Sequence, residues 1–212
     1  MIRILALLAV VLPWPVFAQE IYPALHDVTG VAADDVLNVR AEPSAGADLV
    51  GAFAPTETGI EVIALSADGA WGRVNTGEQA GWASMAYLER QPGQTADDWT
   101  TGVAPMTLAC FGTEPFWSVT LYPGEALDYG GLDFGDGTPQ PGGYTAVAGS
   151  ASTGKRGFFG RLDAEPLGLT GIVSTELCSD GMSDRDYGFA IDLIVSDSEG
   201  DRLAAGCCRL VP

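Results

Sequence analysis

The chain is poor in positive charge. Its 212 residues include ten Lys and Arg against 28 Asp and Glu, a formal net charge of −18, and Lys155 is the only lysine. Phosphate backbones are bound by clustered Lys and Arg, so this scarcity argues against a nucleic-acid partner. It also works against adhesion to anionic lipid. Histidine is scarcer still. His26 stands alone near the N-terminus, well before the four cysteines. Any Cys–His or Ser–His–Asp arrangement would depend on that one imidazole. No Gly-x-Ser-x-Gly elbow occurs, and no C-x-x-C of the redox or zinc kind. Helical apolar stripes are missing throughout. Short apolar alternations broken by Gly, Asp and Pro take their place, which predicts a nearly all-β chain.

Long hydrophobic runs are missing too, apart from one at the start. Arg3 precedes an apolar run over residues 4–12, Pro13 and Pro15 follow, and Val16-Phe17-Ala18 stands before Gln19. This is the layout of a secretory signal peptide cut after Ala18. The run is far shorter than the ~20 apolar residues a membrane span requires. Gln19 follows the cut where a lipoprotein has its acylated cysteine. The expected product therefore has no stable membrane anchor and resides in the periplasm or is secreted. Its charge suits a soluble monomer. Export favours oxidised cysteines, and an even number of them fits a disulfide framework.

The composition changes near residue 91. Gln91-Pro-Gly-Gln-Thr-Ala-Asp-Asp98 is polar and without periodicity, and residues 91–105 read as a linker between two units. The first unit, residues 22–90, is a string of short strands. Val36-Leu-Asn-Val-Arg40 alternates, Leu49 to Phe53 and Ile60 to Leu65 are apolar, and Asp68-Gly69 marks a tight turn before Trp71-Gly-Arg-Val-Asn75. Strands this short bury a face only when curled together, and a small barrel is the expected solution. Trp71 and Trp82 are the large side chains expected to set its packing, with Trp82 in the core. Trp71, Tyr87 and Arg40 are the candidates for a ligand groove. Leu37-Asn-Val-Arg40, Pro43, Gly51, Ile60 to Ile63, Trp71-Gly-Arg-Val74 and Gly81-Trp82-x-x-x-x-Tyr87-Leu88 resemble the bacterial SH3 pattern. The resemblance implies a small bent β-barrel used for binding or targeting, often toward cell-wall components.

The second unit, residues 106–212, restarts the pattern. Trp117-Ser-Val-Thr-Leu-Tyr122 alternates, and Tyr187-Gly-Phe-Ala-Ile-Asp-Leu-Ile-Val195 gives the strongest period-two signal in the chain. In that run Tyr187, Phe189, Ile191, Leu193 and Val195 are expected to point inward. The Gly- and Asp-rich passage from Asp128 to Gly143 reads as a long loop. About seven strands predict an antiparallel barrel or sandwich, here held by disulfides. Neighbouring cysteines in a strand face opposite sides, so Cys207 and Cys208 do not bridge each other. Two pairings remain, each tying Cys110 and Cys178 separately to the last strand, with one bridge inside and one outside.

Cys110-x-Gly-Thr-Glu-Pro-Phe-Trp117, Cys178-Ser-Asp-Gly-Met-Ser-Asp184 and Gly206-Cys-Cys-Arg209 resemble blocks of a family of uncharacterised exported bacterial proteins and lipoproteins. Gly188 follows Tyr187 where that family is expected to carry proline. Glu114, Trp117, Asp180, Ser183 and Asp184 are the candidate ligand-binding residues of this half, converging at one barrel mouth. Asp133 with Asp136, or Asp180 with Asp184 and Asp186, are the acidic runs a calcium ion would use. Neither matches a twelve-residue calcium loop, so no metal is expected, and no cofactor is implied. The reading that follows is a non-catalytic envelope protein binding peptidoglycan or an envelope protein. The alternatives are a peptidoglycan hydrolase using a carboxylate pair such as Glu114 with Asp184, and an enzyme inhibitor.

Overall fold

The computed structural model describes residues 21–96, 98–100, 102–131, 138–147 and 154–212. The signal-peptide reading, Asp133 and Asp136 lie outside the described residues. The chain is almost entirely β. The first unit contains β1 (Ala24–Val28), β2 (Leu37–Arg40), β3 (Leu49–Phe53), β4 (Ile60–Val62), β5 (Ala64–Leu65), β6 (Trp71–Thr76), β7 (Gln79–Ser84) and β8 (Leu88–Arg90). They form a three-stranded sheet, β4-β1-β8, and a five-stranded sheet, β3-β2-β7-β6-β5. The residues between Ile60 and Leu65 pass from one sheet to the other, and at the crossing Ile63 N donates to Arg73 O at 2.8 Å. Val28, Leu37, Val39, Phe53, Ile60, Val62, Val74, Ala83 and Leu88 fill the space between the sheets. Each of these side chains except Ala83 contributes about 1.5–3 kcal/mol by leaving water when fully buried.

The second unit is a closed up-and-down barrel of eight antiparallel strands: β9 (Thr107–Thr113), β10 (Phe116–Leu121), β11 (Ala126–Gly131), β12 (Gln140–Val147), β13 (Lys155–Leu162), β14 (Gly168–Cys178), β15 (Tyr187–Asp197) and β16 (Gly200–Val211). Each strand pairs with the next, and β16 closes on β9. The strand absent from the sequence reading is β11. It offers only Leu127 and Tyr129 to the interior before Gly130 and Gly131 end its alternation. Its partner β12 opens on Gln140-Pro-Gly-Gly. Gly142 is required there by closeness: a Cβ on it would lie 2.2 Å from Arg161 O.

The barrel interior is filled by side chains from every strand, among them Trp117, Val119, Leu121, Tyr144, Phe158, Leu169, Phe189, Ile191 and Leu193. Phe189, Ile191, Leu193 and Val195 of β15 point inward as their alternation requires. Tyr187 does not join them. It is buried against Phe111 in an edge contact at 5.1 Å, and its hydroxyl donates to Asp180 Oδ2. Cys110 bridges Cys208, its direct cross-strand partner on the closing seam, within the interior. Cys178 bridges Cys207. To reach it, β14 leaves its register between Thr175 and Cys178.

Three described residues of the stretch read as a linker, Gln94, Trp99 and Val103, are buried. Gln94 is buried, and its amide bonds both the N–H and the C=O of Leu25 at 2.7 and 3.0 Å. It thereby imitates a neighbouring strand along β1. Trp99, on a single 3-10 turn, is buried within the barrel's apolar cluster 5.7 Å from Phe189, and Arg156 lies 4.5 Å over its ring. Polar composition hid this segment. Its contacts are one amide doing backbone chemistry and two apolar anchors, Trp99 and Val103, too few to make a period.

The two units share a boundary. Leu25 of β1 belongs to the barrel's apolar cluster. Gly188 of β15 lies beneath Pro23, whose Cγ would stand 2.0 Å from an added Cβ, with Ile63 nearby. A side chain here would wedge the units apart, which gives a local reason for glycine at this position. Glu61 of β4 accepts the Leu210 N–H at 2.9 Å. Burial pushes its carboxyl up to about 7, against the opposing pull of that N–H and of Arg209.

A raised acid pKa means the folded chain holds its proton more tightly than the unfolded chain. Stability from this group is therefore greatest below about pH 4.5 and falls as pH rises to about 7. We expect Glu61→Gln, which keeps the acceptor, to leave stability unchanged at pH 4.5 and to raise it by roughly 1–3 kcal/mol at pH 8. Urea titrations of both proteins at the two pH values check this. An equal difference at both would rule out the titration.

Candidate functional site

Two surfaces carry the side chains of interest. The first is the outer face of the five-stranded sheet. Along β6, Gly72 and Val74 face the core, so Trp71, Arg73 and Asn75 face outward; along β7, Gly81 and Ala83 face in and Trp82 out. Cross-strand register then sets Arg40, Trp82 and Arg73 in one row, with Trp71 opposite Ser84 two residues away. The Arg73 guanidinium lies 5.3 Å over the Trp82 ring, a contact in which the ring's quadrupole attracts the cation. Trp71 and Trp82 are thus half-buried on this outer face and not in the core, contrary to the packing role expected of them. The small residues alternating with them were the signal: Gly-x-Val and Gly-x-Ala leave room inside for the opposite sheet. Arg40 itself donates to Ala47 O at 2.7 Å and ties down the following loop. Tyr87 is 42% exposed on the 3-10 turn after β7.

Part of this face is covered by the barrel. The loop between β14 and β15 reaches back to the β6–β7 hairpin. Gln79 and Asp184 form an isolated parallel bridge, with Ala80 N donating to Asp184 O at 2.9 Å and Asp184 N to Glu78 O at 3.0 Å. Arg185 donates to Gly77 O at 2.6 Å and pairs with Glu78. Asn75 brackets Asp186, accepting its N–H at 3.1 Å and donating to its carbonyl at 2.7 Å. Arg73 holds the Asp186 carboxylate through Nε and Nη2 at 2.7 and 2.6 Å. The pairing of Arg73 and Asn75 with Asp186, which the sequence offered only as part of an acidic run, escaped the sequence reading because the partners are more than a hundred residues apart.

The second surface is a cleft of about 500 Å³ beside the Cys178–Cys207 bridge, with Phe111, Glu114, Glu176, Asp180, Met182 and Asp192 among its walls. Exposed apolar side chains stand at or next to it in sequence: Phe116, Leu177 and Met182. Of the five barrel residues expected to converge, Glu114 and Asp180 share this cleft. Trp117 points into the barrel and is buried there, so it takes no part in a surface site. Asp184 is bound through its main chain to the β6–β7 hairpin. Ser183 serves the loop: its N–H and hydroxyl both donate to Asp180. Burial would raise the Asp180 carboxyl, but donors from Ser183, Met182 and Tyr187 outweigh it and hold the group below the usual carboxylate range. Asp180 is therefore a loop-closing acceptor. Among the described residues, no group of three or more His, Cys, Asp and Glu is placed to hold a metal ion.

Residues 35–89 match the family model described as bacterial SH3 domain. The match spans β2 to the first residues of β8 and leaves out β1 and the barrel. No curated protein and no solved structure matches the chain.

Proposed function

We propose that this is a non-catalytic binding protein of the bacterial envelope, with an SH3-type module that engages a cell-wall or protein ligand and a disulfide-held barrel that supports it. The observation that carries the reading is the bacterial SH3 match over residues 35–89, a module that presents aromatic and cationic side chains on an outward sheet face. Two disulfides fit an oxidising compartment, and the barrel's sequence blocks resemble those of exported bacterial proteins and lipoproteins. All four cysteines are bridged, which removes the thiolate that a cysteine peptidase or transpeptidase would need. The carboxylates first considered for glycoside cleavage lie in different settings: Glu114 lines the cleft, and Asp184 is docked on the hairpin.

The test uses the full exported chain. Co-sedimentation with purified peptidoglycan sacculi, together with crosslinking in the native envelope, should retain the protein or capture a partner. Trp71→Ala with Tyr87→Ala should weaken retention about tenfold, the scale of exposed aromatic contacts. A protein neither retained nor crosslinked argues against a binding role. Turbidity loss of a wall suspension that Glu114→Gln abolishes would replace this reading with a hydrolase.

A further inference from the structure

The loop over residues 184–186 meets the first unit as a bound peptide would. It is extended, and it is held by the groups any extended peptide offers. The main chain of Asp184 bridges to β7, the main chain of Asp186 is bracketed on both sides by the Asn75 amide, and a single carboxylate is taken by Arg73 through two nitrogens. The bridge meets β7 at its first residue, Gln79, beyond the single point where β2 pairs with that strand, and binding a peptide main chain while reading one side chain is a recurring mode of peptide recognition. The reading group is pre-positioned, because Arg73 is stacked over Trp82 beside Arg40 in the same cross-strand row. Two of the ten cationic residues of a strongly acidic chain thus share this face.

The contact is polar and lies apart from the apolar contacts that join the two units. Its members are polar and partly exposed, with side-chain exposures of 27% for Arg73, 20% for Asp186 and 82% for Glu78. An exposed pair such as Arg185–Glu78 stabilises little. Meanwhile Leu25 in the barrel cluster, Pro23 over Gly188, and Glu61 on Leu210 hold the two units together elsewhere.

We propose that the outer sheet face around Arg73, Asn75 and Trp82 is a recognition site for an extended peptide segment carrying an aspartate or glutamate, filled in the resting protein by its own Asp186. The site rests on the reading of the first unit as a binding module and narrows it to one face and one ligand chemistry. A tethered segment competes at an effective concentration in the millimolar range, so a weak external peptide is excluded until the loop yields.

The probe is a labelled, end-blocked peptide with the sequence Met-Ser-Asp-Arg-Asp-Tyr, added to the full exported chain and followed by fluorescence anisotropy. The wild type should bind it at least about tenfold more weakly than Asp186→Ala, in which the cis carboxylate is gone. In the Asp186→Ala background, Arg73→Gln should return affinity to the wild-type level, and so should a probe with asparagine as its second acidic residue. Circular dichroism and thermal melting establish that each variant is folded. An Asp186→Ala protein that is folded yet binds no better than wild type overturns the proposal, as does a gain indifferent to Arg73→Gln. Sacculus retention and envelope crosslinking report separately on the broader reading. If these succeed while the peptide gains nothing, the binding module stands and this face is not its site.

Discussion

Cys110→Ala combined with Cys208→Ala is expected to destabilise the protein by about 4–5 kcal/mol, the cost of releasing a long closed loop in the chain-entropy account. The loop here spans 98 residues, nearly the whole barrel. The bridge joins the first and last strands of the meander at directly opposed positions, so it is the one covalent tie across the closing seam. For a chain of this size the melting temperature should fall by roughly 10–18 °C. The companion pair, Cys178→Ala with Cys207→Ala, opens a loop of 29 residues, and the same account gives about 3–4 kcal/mol. Thermal and guanidinium unfolding of the two double variants measures the order. A seam variant that loses less than about 1 kcal/mol would mean that the β9–β16 ladder closes the barrel unaided and the bridge is incidental.

The second large effect concerns Trp99. Truncation to alanine removes an indole buried in the barrel's apolar cluster beside Phe189 and strips Arg156 of its stacking partner. Large-to-small changes at such sites typically cost about 3–5 kcal/mol, through lost transfer energy and the cavity left behind. Trp99→Phe, which keeps most of the volume, should recover more than half. The same substitution in a solvated linker would change stability by less than about 0.5 kcal/mol, so the measurement separates a tether from a structural segment. A loss near zero, read from denaturant midpoints at unchanged slope, would return residues 91–105 to the status of a spacer.

Much of the architecture was legible in the residues. Period-two runs such as Trp117 to Leu121 and Phe189 to Val195 are local patterns, and the structure places each on a strand. The participation of Cys207 and Cys208 in separate bridges followed from strand geometry alone. The candidate site was less legible. Glu114 and Asp180 do share a cleft, yet Asp180 and Ser183 are occupied with each other, and Trp117 faces inward. The failures have one cause. Residue type tells what a side chain is able to do, whereas its position decides what is left for it to do.

By itself the sequence determined an all-β chain in two patterned halves, the identity of the cystine residues, and a strongly acidic character. These follow from composition and from spacings within a strand, where each residue's neighbours are known. Tertiary structure decided the pairing of the cysteines, the eighth strand, the outward turn of Trp71 and Trp82, and the docking of Asp186 on Arg73 across 113 positions of chain. Such contacts depend on how one sheet curls and on which loop it then meets. No local pattern encodes that meeting, because its energy exists only once both partners are already in place.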